Sequence, residues 1–144
     1  MKNYTVFALA PIRREGSQEM AQKILVVDDS DLCRDLTKMM LEDFGYQVVT
    51  LESGLGLSRA LGREKPDLVL LDVSMPALPG NHAVEVTRQH KLHRCPIVLF
   101  SDRPAGELST LAERCGAAGF IAKTSNAHSL AQSVQRFLSP AGAT

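Results

Sequence analysis

The sequence has no excess of charge, no cysteine pair of the metal-binding kind and no apolar run long enough to cross a bilayer. Each absence removes a class of function. Lysines plus arginines equal aspartates plus glutamates at 16 each, so no global field draws the chain to nucleic acid, a membrane surface or an acidic partner. No basic stripe or recognition helix stands out, and no direct DNA binding is expected. Cys33, Cys95 and Cys115 are widely spaced with no C-x-x-C pair, which argues against a zinc or dithiol site and for reduced core thiols. His90 and His93 have a metal-compatible spacing, but no neighbouring cysteine or carboxylate completes a set, so a solvated helix end is expected. The stretch from Val6 to Ile12 is interrupted by Pro11 and followed by Arg13-Arg14, too short for a secretory signal. Nothing approaches the roughly 20 apolar residues of a transmembrane helix. A cytoplasmic chain without membrane contact is the expectation.

What the sequence does contain, within 144 residues that suit one domain, is an alternation of short apolar runs and amphipathic stretches. Residues 1 to 22 show no sustained period and read as a flexible N-terminal extension. Ile24-Leu25-Val26-Val27 is a strand buried on both faces, ending in Asp28-Asp29-Ser30. Leu32, Leu36, Met39, Met40 and Phe44 recur at helical spacing, with Ser30 or Asp31 as cap and Gly45 as stop. Gln47 to Leu51 is a more polar strand suited to a sheet edge, followed by a second helix near Ser53 to Arg63. Leu68 to Leu71 is another strand buried on both faces, delivering Asp72. A weakly patterned helix from about Asn81 to His90 precedes the strand Pro96 to Phe100, which ends in Ser101. Leu108, Leu111, Ala112 and Cys115 give a fourth helix stopped by Gly116. Gly119 to Ala122 is the last strand, ending in Lys123, and Leu130, Val134, Phe137 and Leu138 stripe a closing helix. Residues 139 to 144 form a short tail. Five strands alternating with five helices predict an α/β, doubly wound parallel sheet with helices on both faces.

In such a sheet, ligands bind beyond the carboxyl ends of the strands. Those ends carry Asp28 and Asp29, Asp72, Ser101 and Lys123. A lone strand-end Asp is usually a turn residue, but four strands ending in compatible polar groups indicate a site. Clustered carboxylates repel unless a cation compensates, and Mg²⁺ favours carboxylates, retained water and phosphate oxygens. Asp72 could then attack phosphorus while the metal and Lys123 neutralise the phosphoryl oxygens. Ser101 could donate to a phosphoryl oxygen and couple the chemistry to its loop.

At these residues the chain resembles the receiver domain of bacterial two-component response regulators, over about residues 23 to 138. The matching pieces are Ile24-Leu25-Val26-Val27-Asp28-Asp29-Ser30, Leu70-Leu71-Asp72-Val73-Ser74-Met75-Pro76, Val98-Leu99-Phe100-Ser101 and Gly119-Phe120-Ile121-Ala122-Lys123. The resemblance implies a flavodoxin-like strand order 2-1-3-4-5 and a phosphoryl group accepted on Asp72 from a histidine kinase or histidine phosphotransfer protein. It implies Mg²⁺ ligation by Asp29, Asp72 and the Ser74 backbone carbonyl, with Asp28 acting mainly through bound water. Ser101 and Lys123 would contact the phosphoryl group. Phe120 would be the switch aromatic, against the plainer reading of a core side chain. No enzymatic turnover is implied beyond the domain's own phosphorylation and dephosphorylation.

Three positions depart from the family pattern. Thr124 follows Lys123 where proline is common, and a non-proline cis bond would cost roughly 2.5 to 4 kcal/mol, so a trans loop and a shifted lysine are expected. Asp102 follows Ser101 where a small residue is usual; it either points into the site as a fourth carboxylate or faces solvent. Pro79-Gly80 replaces a frequent Asp-Gly pair, a tolerable change. A phosphatase of the haloacid dehalogenase type would need a second Asp two positions after Asp72, where Ser74 stands. The expectation is a stand-alone switch without an output domain, binding a downstream protein through the fourth helix, fifth strand and fifth helix, with a homodimer on phosphorylation. The alternative is a receiver-like interaction module that has lost phosphotransfer and binds constitutively.

Overall fold

The apolar runs form strands because they are rich in β-branched residues and leucine, have no interior glycine or proline, and are bounded by turn residues. In a computed structural model, which describes residues 21–73 and 95–139, they are β1 (Lys23–Val27), β2 (Gln47–Leu51), β3 (Leu68–Leu71), β4 (Ile97–Ser101) and β5 (Gly119–Ala122). All pairings are parallel, in the order β2-β1-β3-β4-β5. The α/β, doubly wound sheet is therefore as expected, with β2 on an edge and the order reversing between β1 and β3. The described helices are α1 (Asp31–Glu42), α2 (Leu57–Glu64), α3 (Ala105–Cys115) and α4 (Ala127–Leu138). The helix expected from Asn81 to His90, Ser74, Pro79-Gly80, His93 and the expected terminal extensions, apart from residues 21, 22 and 139, lie outside the described residues.

Alternation along the strands divides the interior into two cores. Leu25, Val27, Val69, Leu71 and Leu99 point to one face, where α2 contributes Leu57 and Leu61 and α3 contributes Leu108 and Ala112. Ile24, Val26, Leu70, Val98 and Phe100 point to the other, where α1 contributes Met40 and Leu41 and α4 contributes Leu130 and Val134. Burying strands on both faces explains why they read as unbroken apolar runs.

Local sequence accounts for the helix ends. Ser30 caps α1 by accepting from Cys33 N, and Asn126 caps α4 by accepting from Ser129 N. Gly116 ends α3 at φ 74°, a left-handed conformation that glycine adopts without Cβ strain. Gly119 has a different role: a Cβ there would lie 2.7 Å from the Phe137 ring, so its absence lets α4 close onto β5.

Three expectations need correction. The second helix does not begin at Ser53: Gly54–Gly56 form a 3₁₀ turn, capped by Ser53 on Leu55 N, before α2 starts at Leu57. Glycine's poor helix propensity at two of these three positions explains the delay. The inner face of α1 is also rotated from the expected stripe. Thr37, Met40 and Leu41 are buried, while Leu32 and Met39 are 75% and 55% exposed. Finally, only Cys115 is a buried thiol; Cys33 and Cys95 are partly exposed, and all three are free.

Candidate functional site

Hydrogen bonds that continue the sheet past its strand ends bring the polar residues together. Asp28 N donates to Leu51 O at 3.0 Å, Asp72 N to Val27 O at 2.9 Å and Lys123 N to Ser101 O at 2.9 Å. The first two hold Asp28 and Asp72 at adjacent strand ends. The third ties Lys123 to the residue that ends β4. Asp28, Asp29 and Asp72 consequently place one carboxylate oxygen each within 4.8 Å of the others. Asp28 and Asp72 are 0% and 2% exposed, whereas Asp29 faces solvent.

Lys123 enters this cluster from β5. Its Nζ is 2.7 Å from Asp28 Oδ2 and 3.4 Å from Asp72 Oδ2, and lies 5.7 Å from the centroid of the Phe100 ring. Burial alone would lower the ammonium pKa, but contact with Asp28 and the charges of Asp72 and Asp28 outweigh it and hold the pKa above its ordinary value. The lysine is thus a fixed cation.

The donor set suits a hard divalent ion. Two buried carboxylates and one exposed carboxylate can supply oxygen ligands without closing a cage. Asp28 Oδ1 accepts from Ser30 N at 2.9 Å. Asp28 Oδ2 is buried and, among the described residues, without a hydrogen bond of ordinary geometry, although the lysine ammonium lies within ion-pair distance. That leaves valence a cation would use. The expected Ser74 carbonyl ligand lies outside the described residues.

Ser101 is fully buried, and its Oγ accepts from Arg103 N at 3.2 Å. Phe120 is partly buried and packs against the core beneath α2 and α3, on the sheet face opposite α1. Asp102 is exposed, at the rim of a pocket of about 290 Å³ between α1 and the loops after β4 and β5. Of its two expected orientations, the solvent-facing one is observed.

Thr124 organises the loop without a cis bond. All described peptides are trans; Thr124 Oγ1 accepts from Asn126 N at 3.0 Å, and Asn126 then caps α4. Lys123 still reaches both carboxylates. Apolar periodicity does not mark Arg34, whose Nη1 donates to Asp28 O at 2.7 Å. The only signal available was an arginine one helical turn inside α1, after the acidic pair.

This five-stranded parallel fold is that of a receiver. The response regulator receiver domain family matches residues 24–135, and the chain belongs to it. Protein PilH of Pseudomonas aeruginosa is 32% identical over 118 residues, covering 81% of this chain and 97% of PilH. The transcriptional regulatory protein YxdJ of Bacillus subtilis is 40% identical over 86 residues, 60% of this chain, and the match spans only 36% of YxdJ. The chemotaxis protein CheY4 of Vibrio cholerae has a similar structure, with a TM-score of 0.72 and 28% identity over 82% of this chain and 99% of CheY4. Among the described residues no helix is long and apolar enough to cross a membrane.

Proposed function

We propose that this receiver domain is a phosphorylation-activated signalling switch of a two-component system or phosphorelay. The supporting observation is the cluster of Asp28, Asp29 and Asp72 oxygens within 4.8 Å, with Lys123 paired to Asp28 and Asp72. Asp72 is the nucleophile: its carboxylate oxygen forms the new O–P bond as the P–N bond of a phosphohistidine breaks. The donor is a histidine kinase or histidine phosphotransfer protein. Asp29, Asp72 and the Ser74 carbonyl would hold Mg²⁺, with Asp28 acting mainly through bound water. Bound Mg²⁺ supplies charge neutralisation for the carboxylates and the phosphoryl oxygens.

Lys123 leaves its carboxylate partners to pair with the phosphoryl group, and Ser101 turns its hydroxyl to the same group. Movement of Ser101 makes room for Phe120 to rotate inward, changing the surface formed by α3, β5 and α4. A downstream protein, or a second copy of the chain, reads that surface. The chain binds no DNA directly, acts in the cytoplasm and turns over no substrate apart from its own phosphoryl group.

Intact-mass measurement after incubation with acetyl phosphate and Mg²⁺ tests this reading. The wild type is expected to gain one phosphoryl group, and Asp72→Asn or chelation with EDTA to prevent it. No gain even with a cognate kinase would favour the constitutive interaction module.

A further inference from the structure

Phosphotransfer as described leaves Arg34 without a role, yet α1 directs this side chain back to the acidic turn. The side chain is only 15% exposed. Its Nη1 donates to Asp28 O at 2.7 Å, and its Nη2 pairs with Asp31 Oδ1. The Asp28 carbonyl belongs to the peptide that joins Asp28 to Asp29. Holding that carbonyl sets the plane from which Asp29 departs.

The two acids depend on this peptide to different degrees. The Asp28 carboxylate has its own restraints, Ser30 N on Oδ1 at 2.9 Å and Lys123 Nζ 2.7 Å from Oδ2. Asp29 is exposed, and among the described residues no hydrogen bond to its carboxylate is found. Its placement beside Asp28 and Asp72 therefore follows from the backbone.

We propose that Arg34 is a positioning residue for divalent metal: its guanidinium spans Asp28 O and Asp31, and so keeps the Asp29 carboxylate in ligating position. The inference rests on reading the carboxylate cluster as a Mg²⁺ site. Simple electrostatics gives the opposite expectation. A guanidinium close to a divalent cation repels it, so an arginine with no positioning role would, on removal, tighten metal binding. The sign of the change separates the two roles.

The test is calorimetric titration of the full chain with Mg²⁺ at constant ionic strength. Arg34→Met retains the apolar stem and removes the donors, and is expected to weaken binding about 10-fold, the lower end of losses when a group orienting a metal ligand is removed. Arg34→Lys keeps the charge but has a point-like ammonium rather than a fork, so its loss should be intermediate. The Mg²⁺ concentration for half-maximal phosphorylation by acetyl phosphate should rise by the same factor, with the rate at saturating Mg²⁺ near wild type.

Equal or tighter Mg²⁺ binding by Arg34→Met overturns the proposal, including the case in which only its thermal stability in EDTA falls. If Arg34→Met does not fold, Arg34→Lys decides: weaker binding supports the proposal and wild-type affinity overturns it. A wild type that binds no Mg²⁺ overturns both this inference and the metal-site reading, whereas a binding wild type with an unaffected variant overturns the inference alone.

Discussion

Lys123 pairs more closely with Asp28, at 2.7 Å, than with Asp72, at 3.4 Å. Its ammonium therefore meets an oxygen of the acidic pair inside the proposed metal site. An incoming cation and the lysine compete there. Lys123→Met is expected to bind Mg²⁺ several-fold more tightly, because a resident positive charge is lost, while its phosphorylation slows. Calorimetry and intact-mass kinetics measure the two effects, and weaker metal binding would contradict the competition.

Metal should also stabilise the fold. A ligand that binds only the native state at about 100 times its dissociation constant adds about 2.7 kcal/mol. The thermal midpoint of the wild type is expected to rise on adding Mg²⁺ and fall back with EDTA. Asp29→Asn, at an exposed position, should match the wild type in EDTA and lose most of the Mg²⁺-induced rise.

Tyr46 is buried in the core under α1 and α4, and among the described residues its hydroxyl has no hydrogen-bond partner. A buried unsatisfied hydroxyl costs about 1 to 3 kcal/mol. Tyr46→Phe should therefore stabilise the protein by about 1 kcal/mol, read as a higher urea midpoint at unchanged slope. A lower midpoint would reveal a partner for the hydroxyl.

The same residue and Cys95 predict weakness in alkali. Burial pushes the Tyr46 phenol from 10.0 up to about 12, and burial with the charge of Asp67 pushes the Cys95 thiol from 9.0 up to about 12. Both folded-state values are raised. Their contribution is thus complete below the unfolded values and is lost as pH rises toward about 12. The urea midpoint should begin to fall near pH 9, where Cys95 ionises in the unfolded chain, and Tyr46→Phe should reduce the slope above pH 10.

Gly119→Ala would place a methyl group 2.7 Å from the Phe137 ring. Phe137 must turn or α4 must lift. Overpacking of this kind costs about 1 to 3 kcal/mol, and denaturant unfolding should show the loss. The double variant Gly119→Ala with Phe137→Leu should recover part of it.

The sheet was legible because its strands are buried on both faces, which makes Ile24 to Val27, Leu68 to Leu71 and Ile97 to Phe100 continuous apolar runs. The site was legible for the same reason: the first polar residue after such a run marks a strand end, as at Asp28, Asp72 and Ser101. Helical faces were harder. In α1, Leu32 and Met39 satisfy an apolar spacing but project to solvent, while Thr37 is buried, because packing between β1 and α4 chooses the inner face and hydrophobicity alone does not. Arg34 carried no periodic signal, since its partner is a backbone carbonyl. Whether Asp102 faced the site depended on the turn after β4.

The Asp28 amide donates to Leu51 O, at the last residue of β2, and β2 is an edge strand. Edges of a sheet open more often than its centre. The acidic turn therefore shares the opening lifetime of one of the sheet's two edge strands, although Asp28 itself is sealed from water. Hydrogen exchange at this one amide would act as a clock for β2 fraying, and would slow with anything that pins either the turn or the edge.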